Sequence, residues 1–315
     1  MRERAAVVDR TGYGRLLLTG ADRRAYLQGL LTNDIEALTP GTGCYAAMLN
    51  AQGRMLTDMR VLELGDAVLL DVPLQVTAAI RDHLDNFIFS EDVKVEDVTT
   101  SRVEIGLYGP GALEILQSAG TDGAAPSSPF GVTRVRIAGA DALLVATDGS
   151  VPGYDVISTA DNAAVIRQAL MAAGAETASE DDFETLRIER GRPRFGADMT
   201  EDTIPLEAGL EERAISRTKG CYVGQEVIVR VQDRGHGRVA RKLVGLTFAA
   251  DSPIPAAGAV VHSGDREIGR VTSATWSPAL ARPIALGYVH RDFVDPGTRV
   301  SVAGADGVVA MLPMA

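Results

Sequence analysis

From about residue 240 onwards, this 315-residue chain is a succession of short apolar segments separated by turn residues. The segments are KLVGLTF, GAVVHSG, EIGRVTSATW, IALGYV, TRVSVAG and GVVAMLP. Short strand-like segments at these intervals, with glycine, proline or charged residues between them, predict a small β-barrel or sandwich. The pattern places a domain boundary near residue 240, so the expected domains are residues 1–239 and 240–315.

The preceding part of the chain mixes strand and helix patterns. GRLLLT (14–19) predicts a strand, and GADRRAYLQGLLTND follows it with apolar residues at helical spacing. Strand-like runs come next at 44–50, 54–64 and 67–72, with the turn NAQG between the first two. A further helix is expected after Ser179, which with Asp182 forms a capping-box pattern. No GxGxxG or GxxxxGK[ST] motif appears in a strand–turn–helix setting, so neither a Rossmann fold nor a P-loop fold is supported.

Composition and charge exclude several functional classes. The chain has 46% hydrophobic and 23% charged residues, and no apolar run approaches the ~18–20 residues that a membrane helix needs. The N-terminal MRERAAVVDR lacks the apolar core of a secretory signal, so a cytoplasmic protein is expected. A net charge of −11 argues against a direct nucleic-acid partner. Residues 186–242 nevertheless carry 12 Lys and Arg against 9 Asp and Glu, which favours a local pocket for a small anion.

Cys221 is the more notable of the two cysteines, Cys44 and Cys221, which are too few for a disulfide scaffold. It stands in the polar, glycine-rich segment RTKGCYVGQEVIVR (217–230). A thiolate nucleophile needs a nearby cation or histidine, and the candidates are Lys219, Arg217 and His236. The alternative is a buried, inert thiol. The four histidines and two cysteines show no metal-ligand spacing, so no metal site is expected.

Asp58 is the acid that stands out in the strand-like run GRMLTDMRV. On the exposed face of a strand it would need no partner, and the strand pattern alone favours that placement. If buried, it would need a hydrogen-bonding partner, and it could then hold a ring N–H or accept a proton.

The segment KGCYVGQE (219–226) resembles the signature of the YgfZ-type folate-binding proteins, relatives of the glycine-cleavage aminomethyltransferase (T-protein). The resemblance continues in order along nearly the whole chain. The other blocks are GADRRAYLQGLLTNDI (20–35), AAMLNAQGRMLTDMRV (46–61), NFIFSEDVKVED (86–97), RIERGRPRFGADMTEDTIPLEAGL (187–210) and GRVTSATWSPALARPIALGYV (269–289). These blocks are shared with the aminomethyltransferases and indicate only the superfamily, whereas the cysteine signature indicates the YgfZ-type branch.

The resemblance implies a cloverleaf fold, with two interleaved α+β segments around a central pocket for tetrahydrofolate and a C-terminal β-barrel. Its site residues, transferred by motif, are Lys219, Cys221, Tyr222, Gln225 and Glu226, with Asp58 and Tyr154 for the pterin end and Arg187 and Arg230 for ligand charge or loop order. Of these, Cys221, Lys219 and Asp58 are the expected catalytic residues.

The sequence departs from the aminomethyltransferase pattern at two places. Where those enzymes have paired aspartates after the glycine of the LN-x-x-G turn, this chain has Thr57 and Asp58. Where they have T-G-E, it has Ser150, Val151 and Pro152. The catalytic equipment of an aminomethyltransferase therefore looks incomplete, which leaves enzymatic activity undecided.

Three functional hypotheses follow. The resemblance implies a folate-binding accessory protein for iron–sulfur cluster assembly or maintenance, with Cys221 as its functional thiol, iron–sulfur proteins as partners and an indirect effect on tRNA modification. The alternative is a folate-dependent aminomethyltransferase or demethylase acting on a small methylated amine through Asp58. The third is a cysteine hydrolase or acyltransferase with a Cys221–His236 pair.

Overall fold

A computed structural model of the chain describes residues 1–148, 151–234 and 237–315. Within it the chain forms two compact units, each assembled from three separate stretches. Unit 1 comprises Met1–Met48, Thr57–Phe183 and Ala214–Tyr222, and unit 2 comprises Leu49–Leu56, Glu184–Arg213 and Val223–Ala315. The predicted domain boundary near residue 240 stays a prediction.

Two β-sheets form the framework of unit 1. Their strands are, in chain order, β1 (Ala6–Asp9), β2 (Tyr13–Thr19), β3 (Gly43–Leu49), β4 (Met55–Glu63), β5 (Val68–Pro73), β6 (Lys94–Asp97), β7 (Val103–Tyr108), β8 (Thr121–Asp122), β9 (Val132–Ile137), β10 (Ala140–Ala146), β11 (Gly153–Ser158) and β12 (Glu176–Thr177). One sheet has five strands in the order β3-β4-β5-β2-β6, and the other has seven in the order β12-β1-β7-β11-β10-β9-β8.

The helices are short. They are α1 (Arg23–Leu30), α2 (Thr77–Asn86), α3 (Ala112–Ser118), α4 (Ala160–Ala172), α5 (Glu180–Glu189), α6 (Glu211–Ala214) and α7 (Gln225–Val229). The capping box predicted before α5 is confirmed, since the Asp182 carboxylate accepts from the Ser179 backbone N–H at 2.9 Å and the Ser179 hydroxyl accepts from the Asp182 N–H at 3.1 Å.

Unit 2 contains a closed β-barrel. Its strands are β13 (Arg241–Phe248), β14 (Val260–Ser263), β15 (Arg266–Ser277), β16 (Arg282–His290), β17 (Arg299–Val302) and β18 (Ala305–Ala310). They close in the order β13-β16-β15-β14-β17-β18 around a core of Val, Leu and Ile side chains. The mixed α+β class and the C-terminal barrel are therefore confirmed. Trp276 on β15 is 41% exposed and lies outside this core.

A cluster of buried charges links the two sheets of unit 1. Arg60 on β4 forms ion pairs with Asp71 on β5, and with Glu104 (2.9 Å) and Asp155 of the second sheet. Arg15 on β2 reaches Glu104 at 2.7 Å. Burial raises the pKa of Asp71 although Arg60 opposes it. For Glu104, burial would also raise the pKa, but Arg60, Arg15 and Arg10 together hold it below its usual value. Each buried carboxylate thus depends on its arginine partners.

Candidate functional site

Asp58 lies in the middle of β4 and is 8% exposed. Tyr45 on the neighbouring strand β3 donates its hydroxyl to Asp58 Oδ2 at 2.5 Å. The expectation that Asp58 lies on an exposed face is wrong, because residues on both faces of β4 are buried and the strand has no water-facing side. A buried carboxylate needs a donor, and the phenol supplies one.

Thr57, which stands where aminomethyltransferases have the first of two aspartates, is fully buried. Its hydroxyl donates to the backbone carbonyl of Asp58 at 2.9 Å. Thr57 therefore bonds within its own strand, and of the two positions that are paired aspartates in aminomethyltransferases only Asp58 supplies a carboxylate.

Lys219 fastens the signature segment to the end of α1. Its Nζ donates to the backbone carbonyls of Gln28 (2.7 Å), Leu31 (2.6 Å) and Asn33 (2.8 Å). These three acceptors use all three ammonium protons, and two of them follow the last turn of α1, where a cation is favourable. Burial lowers the pKa of Lys219 to about 8. The contacts identify Lys219 as the residue that holds the backbone next to Cys221 in place.

The two cysteines differ in their surroundings. Cys221 is exposed, whereas Cys44, next to Tyr45 on β3, is partly buried. Burial raises the pKa of Cys44 to about 12, with Lys219 opposing that rise. Cys44 is therefore a thiol at neutral pH, and Cys221 is the accessible sulfur of the pair.

Two tyrosines of the predicted site also lie in unit 1. Tyr222 is buried beneath Lys219, whose Nζ is 5.1 Å from the ring centroid, and burial raises the pKa of its phenol to about 12. Tyr154 on β11 is partly buried against the core of the seven-stranded sheet, and burial raises its pKa. Both phenols are neutral near pH 7 and can donate or accept a hydrogen bond.

The second half of the signature belongs to unit 2. Gly224 has φ +81° and precedes α7, which begins with the half-buried Gln225 and the exposed Glu226. A Cβ on Gly224 would lie 2.5 Å from the carbonyl oxygen of Asn50, and one on Gly53 would lie 2.7 Å from Val227 Cβ. The NAQG turn and the start of α7 thus pack backbone against backbone, which explains glycine at both positions.

Arg187 of α5 is buried in unit 2, with every N–H donor used. It donates to Glu184 (two bonds), to Asp198 at 2.6 Å, to Ser273 at 2.9 Å and to the Arg192 carbonyl. All the N–H groups of the Arg187 guanidinium are used within the protein, and two of its acceptors, the Arg192 carbonyl and Asp198, lie in the loop that follows α5. Arg187 is therefore suited to ordering that loop. Arg230, in contrast, is exposed at the end of α7.

Several predictions concern residues or sites that must be judged within the part of the chain that the structure describes. His236 and Ser150 lie outside them, so the Cys221–His236 pair has no geometry here. Among the residues that are described, no group of three His, Cys, Asp or Glu side chains could hold a metal ion. No helix in the described ranges has the length and apolarity to cross a membrane.

Sequence reasoning missed Tyr45, the hydrogen-bond donor to Asp58. The available signal is positional, because the NAQG turn joins β3 to β4 and brings residues before the turn beside residues after it. A polar aromatic residue in the otherwise apolar run CYAAMLN was therefore the candidate partner for the acid on the neighbouring strand.

Two family models match the chain: the GCVT N-terminal domain over residues 1–219 and the glycine cleavage T-protein C-terminal barrel domain over residues 241–312. The chain therefore belongs to the glycine cleavage T-protein family. Membership of this family supports the prediction of tetrahydrofolate as the cofactor.

The curated relatives of the chain include aminomethyltransferases. One from Synechocystis sp. is 30% identical over 309 residues, covering 96% of this chain and 82% of the relative. One from Geobacillus kaustophilus is 30% identical over 316 residues, covering 96% and 84%. The crystal structure of glycine cleavage system aminomethyltransferase T from Bartonella henselae shares the fold, with a TM-score of 0.90 and 24% identity over 100% of this chain and 87% of that one. These names favour the alternative hypothesis over the iron–sulfur role.

Proposed function

We propose that this chain binds a reduced folate and transfers a one-carbon unit between that folate and an amine, as an aminomethyltransferase-like protein. The observation that carries the proposal is the buried Asp58 carboxylate with the Tyr45 hydroxyl bound to it. The aminomethyltransferase relatives at 30% identity support the same reaction class.

The residues present fit a reduced folate chemically. A buried carboxylate such as Asp58 can accept a hydrogen bond from N5–H of the reduced pterin, one of the nitrogens that take up the carbon, and so lie beside the reacting amine. The neutral phenol of Tyr154, which like Asp58 belongs to unit 1, would suit the pterin. When bound, the folate supplies the nitrogens that take up the carbon.

Asp58 would act on the amine of the second substrate. An ionised carboxylate can accept a hydrogen bond or a proton from an amine nitrogen, and the Tyr45 hydroxyl fixes one of its oxygens. Transfer of an aminomethyl group needs no oxidant, because its carbon is already at the oxidation level of a methylene group. A simple methylated amine would need an oxidant, so an aminomethyl donor is the favoured substrate class.

The test is binding and turnover of reduced folates. Calorimetry under anaerobic conditions should show tetrahydrofolate binding, and Asp58→Asn should weaken it. Loss of 5,10-methylene-tetrahydrofolate in the presence of ammonia and a dithiol should require Asp58 and should persist in Cys221→Ala. Absence of reduced-folate binding would refute the proposal.

We propose as a second candidate a thiol-dependent role in assembling or maintaining iron–sulfur proteins, as a YgfZ-type protein, with indirect effects on tRNA modification. The observation in its favour is the exposed Cys221 within KGCYVGQE, on backbone that Lys219 fastens through three carbonyls. In cells that lack the native protein, Cys221→Ala should then fail to restore iron–sulfur enzyme activity while still binding tetrahydrofolate in vitro. Full restoration by Cys221→Ala would exclude the thiol-dependent role.

A further inference from the structure

A cavity lies on unit 1, apart from the residues considered so far. It has a volume of about 740 Å³ and is lined by residues of both sheets, among them Leu17 and Leu69 of the five-stranded sheet and Leu143 and Ile157 of the seven-stranded sheet. Neither Asp58 nor Cys221 lines it. Its volume falls within the ~300–1,000 Å³ typical of small-ligand pockets.

The floor of this cavity is the apolar core between the two sheets. Leu69, Val98 and Ile157 belong to a buried cluster, and the partly buried Leu17 and Leu143 pack against it at the surface. An occupant with apolar side chains would remove the remaining exposed surface of these leucines from water, which is favourable.

The rim carries three arginines and three aspartates, of which four are already paired. Arg134 lies 2.5 Å from Asp66, and Arg136 lies 3.5 Å from Asp141. The other two, Arg102 and Asp122, are exposed, and neither side chain forms an ion pair or hydrogen bond with any residue that the structure describes. The cavity thus offers one available cation and one available anion beside an apolar floor.

We propose that this cavity binds a short apolar peptide with both termini free. The peptide carboxylate would pair with Arg102, its ammonium with Asp122, and its side chains would lie on Leu17 and Leu143. Charge complementarity favours this occupant, because a purely anionic ligand would face the unpaired Asp122 and a purely cationic one would face the unpaired Arg102. Apolar burial supplies affinity, and the two termini set the orientation.

The test is isothermal titration calorimetry of the full chain with the tripeptide Val-Leu-Val, its N-acetylated form and its C-amidated form. The free tripeptide should bind, and blocking either terminus should weaken binding roughly threefold to tenfold, as expected for loss of one partly solvated ion pair. Arg102→Ala and Asp122→Asn should each weaken the binding of the free tripeptide by the same factor. Arg299→Ala, which removes an exposed arginine from the barrel, is the matched control and should change nothing.

Titrations with the blocked peptides show which terminus of the peptide each side chain, Arg102 or Asp122, binds. Arg102→Ala should leave the affinity for the C-amidated peptide unchanged, and Asp122→Asn should leave the affinity for the N-acetylated peptide unchanged. Both side chains are exposed and form no contact that folding requires, so circular dichroism of the variants should match the wild type. No heat of binding up to millimolar tripeptide, or binding indifferent to both substitutions, would overturn the proposal.

Discussion

The hydroxyl of Tyr45 donates a 2.5 Å hydrogen bond to Asp58 Oδ2 between the neighbouring strands β3 and β4. Both side chains are 8% exposed, so water contributes little to stabilising the carboxylate. The phenol therefore supplies a hydrogen bond that the buried carboxylate gains little of from water, and it fixes the orientation of Oδ2.

Tyr45→Phe removes that donor and leaves the Asp58 carboxylate less satisfied. We expect the free energy of unfolding to fall by about 1.5–3 kcal/mol, the usual value of a hydrogen bond to a charged group. Urea unfolding measures the change, and tetrahydrofolate affinity should fall with it. Tyr154→Phe is the control, expected within about 0.5 kcal/mol of wild type, since its phenol is only partly buried. Equal losses of unfolding free energy in Tyr45→Phe and Tyr154→Phe would contradict the role assigned to Tyr45.

Arg60→Met removes the cation shared by Asp71, Glu104 and Asp155. Because it takes an ion-pair partner from three buried carboxylates at once, we expect the free energy of unfolding to fall by about 3–5 kcal/mol in urea titrations. The comparison is Arg134→Ala, which breaks an ion pair whose side chains are 62% and 73% exposed. That pair should contribute less than about 1 kcal/mol. A loss at Arg60 as small as the loss at Arg134 would show that the buried cluster does not depend on its arginine.

The two cysteines should differ in their reaction with iodoacetamide. Near pH 8 the exposed Cys221 should be labelled first, as identified by peptide mass spectrometry. Cys44, with its pKa raised to about 12, should react slowly in the native protein, faster as the pH rises towards that value, and readily in denaturant. Cys221→Ala should remove the fast phase. Comparable native rates at both sulfurs would contradict the burial of Cys44.

Lys219→Met should loosen the signature segment, because three backbone carbonyls lose their donor. We expect a loss of about 2 kcal/mol in unfolding free energy near pH 7 and faster proteolysis around residues 216–222. Since the pKa of Lys219 is lower in the folded state (about 8) than in the unfolded chain, the unfolded state binds more protons between those values. The stability of the wild type relative to the variant should therefore rise as the pH increases above about 8.

Lys94→Met is the control for this pH dependence. Lys94 is exposed on β6, so its loss should leave both the stability and its pH profile nearly unchanged. A pH profile of Lys219→Met that runs parallel to the wild type would contradict the lowered pKa.

Gly224→Ala places a Cβ where the backbone has φ +81° and where the Asn50 carbonyl oxygen is 2.5 Å away. The left-handed backbone alone costs about 1–2 kcal/mol for a residue with a side chain, and the close approach adds to this cost. Thermal unfolding should show the loss. Gly220, four residues earlier, offers a matched control, because a Cβ there meets nothing within 4 Å. Similar melting temperatures for the two alanine variants would contradict the packing described.

Much of the fold could be predicted from local sequence. The barrel strands β13–β18, the capping box at Ser179 and the NAQG turn each have a short-range signature of period, cap or turn residue. The burial of Asp58 could not be predicted in this way. An alternation of apolar and polar residues indicates burial only for strands with one solvent-exposed face, and both faces of β4 are covered. Arg60 and its partners were missed for a different reason: Asp155 lies 95 residues away in the sequence, and no local pattern records such a pairing.

The motifs identified the candidate site residues one by one, but the role of each residue became visible only from its contacts in the structure. The motif predicted a catalytic role for Lys219, as for Cys221, and ligand charge or loop order for Arg187, and the hydrogen bonds of both residues suit them to holding backbone in place. That distinction arises from donor geometry, which residue type alone does not specify.

The division of the chain into interleaved stretches has a consequence for its synthesis. Leu49–Leu56 leaves the ribosome early, yet the rest of its unit begins only at Glu184 and continues to Ala315. Unit 2 therefore cannot complete its fold until the last strands have been translated. The ends of β3 and β4 that meet at the turn between them belong to unit 2 and lack the rest of that unit until it is synthesised. A nascent chain arrested before residue 184 should therefore lack a folded unit 2, however stable the sheets of unit 1 are.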